Sequence, residues 1–255
     1  MNPFDAPDAA IKHSGDTPAP YTAHSPRGKD HIVFHEEYDQ GSEQWLQARC
    51  GLLTASEMKL ILTPTLKVAN NEKTRAHAYE LAAQRITQYV EPHYVGDDML
   101  RGHEDEVRAR IAYAEKFGDV KECGFITNNR LGFTVGYSPD GLVGDDGLIE
   151  CKSRRQKYQV QTFLDGTPDE HVLQLQTGLL VTERDWIDYV SYCGGMPMAV
   201  IRERPDKMTQ DAIVSAATSF EQRVVDIIGE YEHQLSAGNI RWVPTERVIE
   251  QEMYV

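Results

Sequence analysis

The chain has 255 residues, of which 40% are hydrophobic and 26% charged, a composition typical of a folded, water-soluble protein. Its net charge of −14 argues against a general nucleic-acid binder, although a local basic groove remains compatible with it. No apolar run approaches the ~20 residues needed to cross a bilayer, and the first 20 residues lack the pattern of a secretory signal. We therefore expect a cytoplasmic protein without membrane contact, whose four cysteines are free thiols.

The domain organisation follows from a change in composition near residue 35. Residues 1–35 mix Pro, Gly, Ser, Thr, His and charged residues without periodicity, which predicts a flexible N-terminal extension. Residues 36–255 have the size of a single domain that ends in a helix. At its start, Ser42 is predicted to cap a short helix, and Thr54–Glu57 fits a capping box that opens the next one.

The remaining elements alternate between helical and strand patterns. Apolar residues at helical spacing predict four longer helices, over residues 72–90, 98–117, 168–182 and 207–236. Alternating or short apolar runs predict five strands, over residues 120–129, 131–141, 147–153, 185–193 and 198–204. This order predicts an α/β fold in which a mixed sheet is flanked by helices.

Two carboxylates and an amine lie close together in the segment SPDGLVGDDGLIECK, residues 138–152. On a strand, Glu150 and Lys152 point to the same face, and a hairpin through the glycine-rich connection would bring Asp140 beside Glu150. Paired carboxylates repel each other unless a cation lies between them, and Mg²⁺ prefers such oxygen ligands. Lys152 could orient or deprotonate a water, or stabilise negative charge on phosphorus. The pattern indicates metal-assisted hydrolysis of a phosphodiester.

Simpler structural interpretations also fit these residues. The Asp-Gly pair is a common turn signal, and a Glu-x-Lys pair on a surface strand can be a solvated ion pair. Spacing alone does not decide between them.

Four sequence blocks resemble one known family. Pro139-Asp140 with Glu150-Cys151-Lys152 matches the PD-(D/E)xK nuclease motif. WLQARCGLLTASE (45–57), RGHEDEVRAR (101–110) and LQLQTGLLVTERDWIDYVSY (173–192) are similar, in the same order, to motifs of the phage lambda exonuclease and YqaJ-like viral recombinase nucleases. The resemblance implies a restriction-endonuclease-like PD-(D/E)xK core.

The resemblance also implies a metal site. Asp140, Glu150 and the helical Glu106 would hold Mg²⁺, with Glu104 as the alternative if the helix register shifts. The backbone carbonyl of Cys151 would be a further ligand, while its side chain faces the core. Two ions per site are expected, with Mn²⁺ as a substitute, and Lys152 would act on the attacking water.

A second group of residues would grip the terminal 5′ phosphate of the DNA. The matching positions are Arg49, Ser56, Ser138 and Gln174; Arg suits bidentate phosphate binding. Beside the active strand, a basic run suits contacts with the phosphate backbone, although it could equally be a solvated loop; its members are Arg154, Arg155 and Lys157.

The resemblance therefore implies a Mg²⁺-dependent 5′-to-3′ double-strand DNA exonuclease of phage or prophage origin. It would leave 3′ single strands for an annealing protein, and the family's ring-shaped homotrimer is expected by analogy. One alternative is an endonuclease or nickase on the same fold, which would need no terminal-phosphate pocket. Another is a non-catalytic module that binds DNA ends, which would not need Asp140, Glu150 and Lys152 together.

Overall fold

The computed structural model describes residues 30–92 and 97–247. In these ranges the strands form two four-stranded sheets rather than the single mixed sheet that the sequence predicts. The first sheet has the order β1-β3-β4-β2, with β1 Ile32–His35, β2 Leu53–Thr54, β3 Phe125–Asn128 and β4 Val135–Tyr137. The second has the order β5-β6-β7-β8, with β5 Gly141–Val143, β6 Gly147–Ser153, β7 Trp186–Tyr192 and β8 Ala199–Glu203. The fold is α/β, as predicted.

The helices cover the sheets and join them. They are α1 Glu43–Arg49, α2 Met58–Ile61, α3 Glu72–Thr87, α4 Asp97–Ala114, α5 Gln156–Asp165, α6 Asp169–Thr182 and α7 Lys207–Ala237. The predicted caps are confirmed: Ser42 accepts from the Trp45 N–H, and Thr54 and Glu57 form a capping box. That box opens a single 3₁₀ turn, Ala55–Glu57, which leads into α2.

Strand β6 is the element that positions the predicted catalytic residues. It pairs with β5 in an antiparallel hairpin and with β7 in a parallel ladder, so it lies inside its sheet. Cys151 is fully buried and packs with Ala109 and Tyr113 of α4, which confirms that its side chain faces the core. Because side chains alternate along a strand, Glu150 and Lys152 face the other way, towards α6.

Four elements are not predicted from the sequence, namely β1, β2, β5 and α5. Strand β1 lies inside the predicted extension: its residues pair with β3 at Ile32–Asn128 and His35–Phe125, so the folded chain includes residues before 36. Residues 1–29, the rest of that extension, lie outside the described residues. Helix α5 follows β6, where the sequence pattern predicts neither a helix nor a strand.

None of the helices within the described ranges is long and apolar enough to cross a membrane. The four cysteines are unpaired, as predicted.

Candidate active site

Glu150 is the centre of the site and is 2% exposed. Its Oε2 accepts a hydrogen bond from the Tyr137 hydroxyl at 2.7 Å. Its Oε1 accepts from Lys152 Nζ at 2.6 Å and from Gln174 Nε2 at 2.5 Å. Strands β4 and β6 and helix α6 therefore converge on one carboxylate, which three donors satisfy in the interior.

Asp140 follows β4 and lies beside β6, as the hairpin prediction requires. Its Oδ2 accepts from the Cys151 backbone N–H at 2.6 Å. Burial raises the pKa of Asp140 well above its usual range, and the negative charges of Glu150 and Glu106 raise it further against the opposing effect of Lys152. Like charges in a low dielectric disfavour ionisation. The positive charge of Lys152 therefore compensates the Asp140 carboxylate only in part.

Helix α4 brings Glu106 to the same place. Burial raises the pKa of Glu106, while the charges of Lys152 and His103 act to lower it. The alternative, Glu104, instead faces solvent and pairs with Arg108 at 3.3 Å. Glu106 is therefore the residue that the helix register directs towards the site.

Lys152 is the ammonium at the centre of these carboxylates. Burial acts to lower the pKa of Lys152, but the charges of Glu150 and Asp140 outweigh it and raise that pKa. In this arrangement of side chains, the carboxylates therefore favour the protonated form of Lys152.

The carboxylates that could bind a metal ion are Asp140, Glu150 and Glu106. As their side chains stand, no three His, Cys, Asp or Glu residues in the described part of the chain are gathered closely enough to hold one. Lys152 and Gln174 occupy Oε1 of Glu150, and both would have to leave it for an ion to bind there. The donor chemistry nevertheless fits a hard cation. Burial first, and then the charge of Glu150, disfavour the ionised forms of Asp140 and Glu106, and a divalent ion would stabilise those forms.

A polar cleft of about 270 Å³ opens onto the carboxylates. Glu106 and Asp140 line it, and Gln40 lies opposite, donating to the Pro139 carbonyl at 2.8 Å. A second cavity, of about 450 Å³, lies near the other end of α6 and contains none of the predicted site residues.

Arg49 and three hydroxyl groups form a second cluster beside the carboxylates. Arg49 donates to Ser138 Oγ at 3.2 Å and to Thr54 Oγ1 at 3.3 Å, and Thr54 Oγ1 lies 3.2 Å from Ser56 Oγ. The guanidinium also lies 4.3 Å from the centre of the Trp45 ring. The structure thus brings together Arg49, Ser56 and Ser138, the residues predicted for phosphate binding, and places Ser138 two residues from Asp140.

Gln174 is placed differently from the prediction. Its amide donates to Glu150 rather than joining the hydroxyls around Arg49. Gln176, two residues further on, is buried and bonds the backbone at Arg204 and Asp206, so it supports the start of α7.

The basic run is divided between two environments. Arg154 is largely buried and bonds Glu170 at 2.9 Å and His171 at 3.2 Å. Arg155 and Lys157 are exposed where α5 begins, and Lys157 lies 4.5 Å from the centre of the Tyr158 ring. Lys157 therefore lies on α5, Arg155 is the N-cap of that helix, and Arg154 precedes it.

Sequence reasoning missed two residues of the site. Tyr137 is 1% exposed and bonds Glu150; a tyrosine in a short apolar strand has the pattern of a core residue. His171 lies one helical turn before Gln174, and its burial and the charge of Lys152 lower its pKa to about 4. Its spacing from Gln174 was the available signal, because residues i and i+3 share a helix face.

Comparisons with known proteins identify the family of this chain. The model of the YqaJ-like viral recombinase domain family matches residues 44–185. The alkaline exonuclease LHK-Exo from Laribacter hongkongensis is 30% identical, with a TM-score of 0.68 over 77% of this chain and 99% of that one. Its complex with dAMP gives 31% identity and a TM-score of 0.69 at the same coverage.

A phage-related exonuclease from Haemophilus somnus 129PT is 12% identical, with a TM-score of 0.51 over 71% of this chain and 96% of that one, and supports the fold alone. The search of curated proteins found no match. The family model covers more than half of the chain, and the matched blocks carry the predicted site residues. The chain therefore belongs to the YqaJ-like viral recombinase domain family, and it is an enzyme of the exonuclease class.

Proposed function

We propose that the protein is a Mg²⁺-dependent exonuclease that digests duplex DNA from the 5′ end and leaves 3′ single strands for phage-type recombination. The observation that carries the proposal is the placement of two clusters at the ends of one short segment. Ser138 contacts Arg49, and Asp140, two residues later, contacts β6 at Cys151. Two residues span at most about 7 Å, so the clusters suit successive phosphates of one strand.

Arg49 binds the terminal 5′ phosphate in this proposal. Its described polar partners are neutral hydroxyls, so its charge is available to an anion, and a guanidinium matches the geometry of phosphate oxygens. Ser138 and Ser56 add hydroxyl donors. Gln174 moves from Glu150 to the phosphate if it joins this set.

The next phosphate is hydrolysed at the carboxylates. A water oxygen attacks phosphorus, the P–O3′ bond breaks, and one proton is lost by the water while one is gained by the departing O3′. The products are a 5′-mononucleotide and a strand with a new 5′ phosphate, which is the group that Arg49 binds in the following cycle. In this proposal the Lys152 ammonium stabilises the negative charge that develops on the phosphoryl oxygens.

The proposed metal is two Mg²⁺ ions per site, with Mn²⁺ as a substitute. The proposed ligands are the carboxylates of Asp140, Glu150 and Glu106 and the backbone carbonyl of Cys151. When bound, the metal supplies a Lewis acid for the phosphoryl oxygens and lowers the pKa of the attacking water. The complex of LHK-Exo with dAMP supports the substrate class, because dAMP is a nucleoside monophosphate like the proposed product.

The test is a time course on linear duplex DNA labelled at one 3′ end, with and without Mg²⁺, beside a covalently closed circle. We expect metal-dependent loss of the strand from its 5′ end and an intact circle. A cut circle would instead indicate an endonuclease or nickase, and binding without cleavage would indicate a DNA-end-binding module.

The same proposal includes action on phage DNA in the bacterial cytoplasm, a single-strand annealing protein as partner, and a homotrimer by family analogy. Sedimentation of the purified protein tests the trimer, which predicts three times the 28.8 kDa chain mass.

A further inference from the structure

Arg154 continues the active face of β6 beyond Lys152. The Arg154 N–H donates to the Tyr192 carbonyl at 2.7 Å, so the chain stays extended past the end of the strand. Because side chains alternate along an extended chain, Glu150, Lys152 and Arg154 then lie on one face. Arg154 lies one two-residue step, about 6.6 Å, beyond Lys152, and this spacing suits neighbouring phosphates of a nucleic-acid strand.

Two of the groups that hold the Arg154 guanidinium in place, Tyr158 and His171, carry no charge. Its side chain is 10% exposed, and its charge lies 5.0 Å from the centre of the Tyr158 ring. Arg154 donates to His171 Nε2 at 3.2 Å. Burial and the charge of Lys152 keep His171 neutral at pH 7, and stacking on Tyr189 at 5.4 Å fixes its ring.

The carboxylate that pairs with Arg154 is much more exposed to solvent than Arg154 itself. Glu170 bonds Arg154 at 2.9 Å and lies 3.4 Å from His171 Nε2, yet its side chain is 62% exposed. An exposed ion pair contributes only about 0–1 kcal/mol, so Glu170 is easily displaced. Arg154, in contrast, is too enclosed to move with it.

We propose that Arg154, positioned by His171, binds a phosphodiester group of DNA next to the hydrolytic centre, and that Glu170 occupies this subsite until DNA displaces it. The inference rests on the proposed function, because its ligand is the DNA substrate. Glu170 then competes with phosphate for one guanidinium and sets how tightly the strand is held. The alternative is that Arg154 and Glu170 form an ordinary structural ion pair.

The test is the affinity for a short blunt duplex, measured by fluorescence anisotropy in EDTA over a series of NaCl concentrations. Glu170→Gln removes the competitor and should tighten binding about two- to fivefold. Asp211→Asn is the matched control, because it removes one exposed carboxylate from another ion pair, with Lys207 on α7. The proposal is overturned if Glu170→Gln binds no more tightly than Asp211→Asn.

Substitutions of Arg154 test the same subsite by changing the guanidinium instead of the carboxylate. Arg154→Gln should weaken binding and reduce the slope of log K against log salt by about 1, and Glu170→Gln should have no effect in that background. If the double variant still binds more tightly than Arg154→Gln alone, Glu170 acts elsewhere and the proposal fails. Arg154→Lys keeps the charge and should keep the slope, and the Glu170→Gln comparison stands if Arg154→Gln does not fold.

The outcome is separable from that of the proposed function, because binding in EDTA does not depend on cleavage. Digestion from the 5′ end with no effect of Glu170→Gln would remove the subsite alone. Tighter binding by Glu170→Gln without 5′-directed digestion would keep the subsite and remove the proposed reaction.

Discussion

The two clusters that flank Pro139 have opposite charges. On one side, the charges of Asp140, Glu150 and Glu106 all act on a single ammonium, Lys152. Burial and the charge of Glu150 raise the pKa values of Asp140 and Glu106. On the other, Arg49 is held by the hydroxyls of Ser138 and Thr54, and no carboxylate among the described residues forms an ion pair with it. Burial lowers the pKa of Arg49.

The difference indicates which sign of charge each cluster could bind. The carboxylates carry more negative charge than Lys152 balances, which fits binding of a cation. Within the described residues Arg49 forms no ion pair, although the charge of Glu57 acts on it, and this arrangement fits binding of a phosphate. A DNA end with its metal supplies both in one ligand, and each prediction below removes one side of this arrangement.

The largest expected effect is the loss of cleavage in Lys152→Ala. Removing a charge that stabilises the developing oxyanion should lower kcat by on the order of 10³-fold. Single-turnover digestion of a linear duplex measures it, and circular dichroism checks folding. Lys207→Ala, which removes an exposed lysine on α7, is the control; equal rates for the two variants would show that Lys152 has no catalytic role.

Arg49→Ala should slow digestion of 5′-phosphorylated ends by about 10- to 100-fold, the worth of a charged hydrogen bond of ~1.5–3 kcal/mol. Ends that carry a 5′ hydroxyl should be slowed far less, because they lack the group that Arg49 binds. Initial rates on the two substrates give the comparison. Equal slowing of both would remove the phosphate pocket.

Tyr137→Phe should reduce kcat by about tenfold, because Glu150 loses a donor of roughly 1.4 kcal/mol and is less firmly positioned. Tyr113→Phe is a matched control, since it removes a buried tyrosine hydroxyl from another carboxylate, Asp188, at 2.7 Å. Both variants should lose some stability to urea, but only Tyr137→Phe should lose activity. A similar kcat for both would place Tyr137 outside the site.

The smallest effect concerns stability without metal. Because the raised pKa of Asp140 means that the folded protein holds that proton more tightly than the unfolded chain, the free energy of unfolding should fall as pH rises above the ordinary carboxyl range near 4. Asp140→Asn removes this loss and should be more stable than the wild type in EDTA at pH 7. Urea titrations across pH measure it, with Asp211→Asn as the exposed control, and a less stable Asp140→Asn would contradict the crowding of charge.

The sequence predicts best where the information is local. The strand at residues 147–153 and the capping box at Thr54 are confirmed, because both depend on neighbours within a few residues. The register that directs Glu106 inwards came from the family motif, since a glutamate in HEDEVRAR has nothing local to distinguish it from Glu104.

The misses depend on partners distant in the chain. Strand β1 pairs with Asn128, nearly a hundred residues away, and its four residues, Ile-Val-Phe-His, are too short an apolar run to show a period. Helix α5 leaves Val160, Phe163 and Leu164 exposed, so its apolar pattern is weak. The bond from Gln174 to Glu150 joins α6 to β6, and no spacing in the sequence predicts it.

The most direct test of the central claim is a single-turnover digestion of duplex DNA labelled on its 5′-terminal phosphate, in Mg²⁺. Removal of one nucleotide at a time from the 5′ end predicts that the label appears at once in a mononucleotide 5′-phosphate. Label that remains in long fragments while the DNA is shortened would contradict 5′-directed hydrolysis at this site.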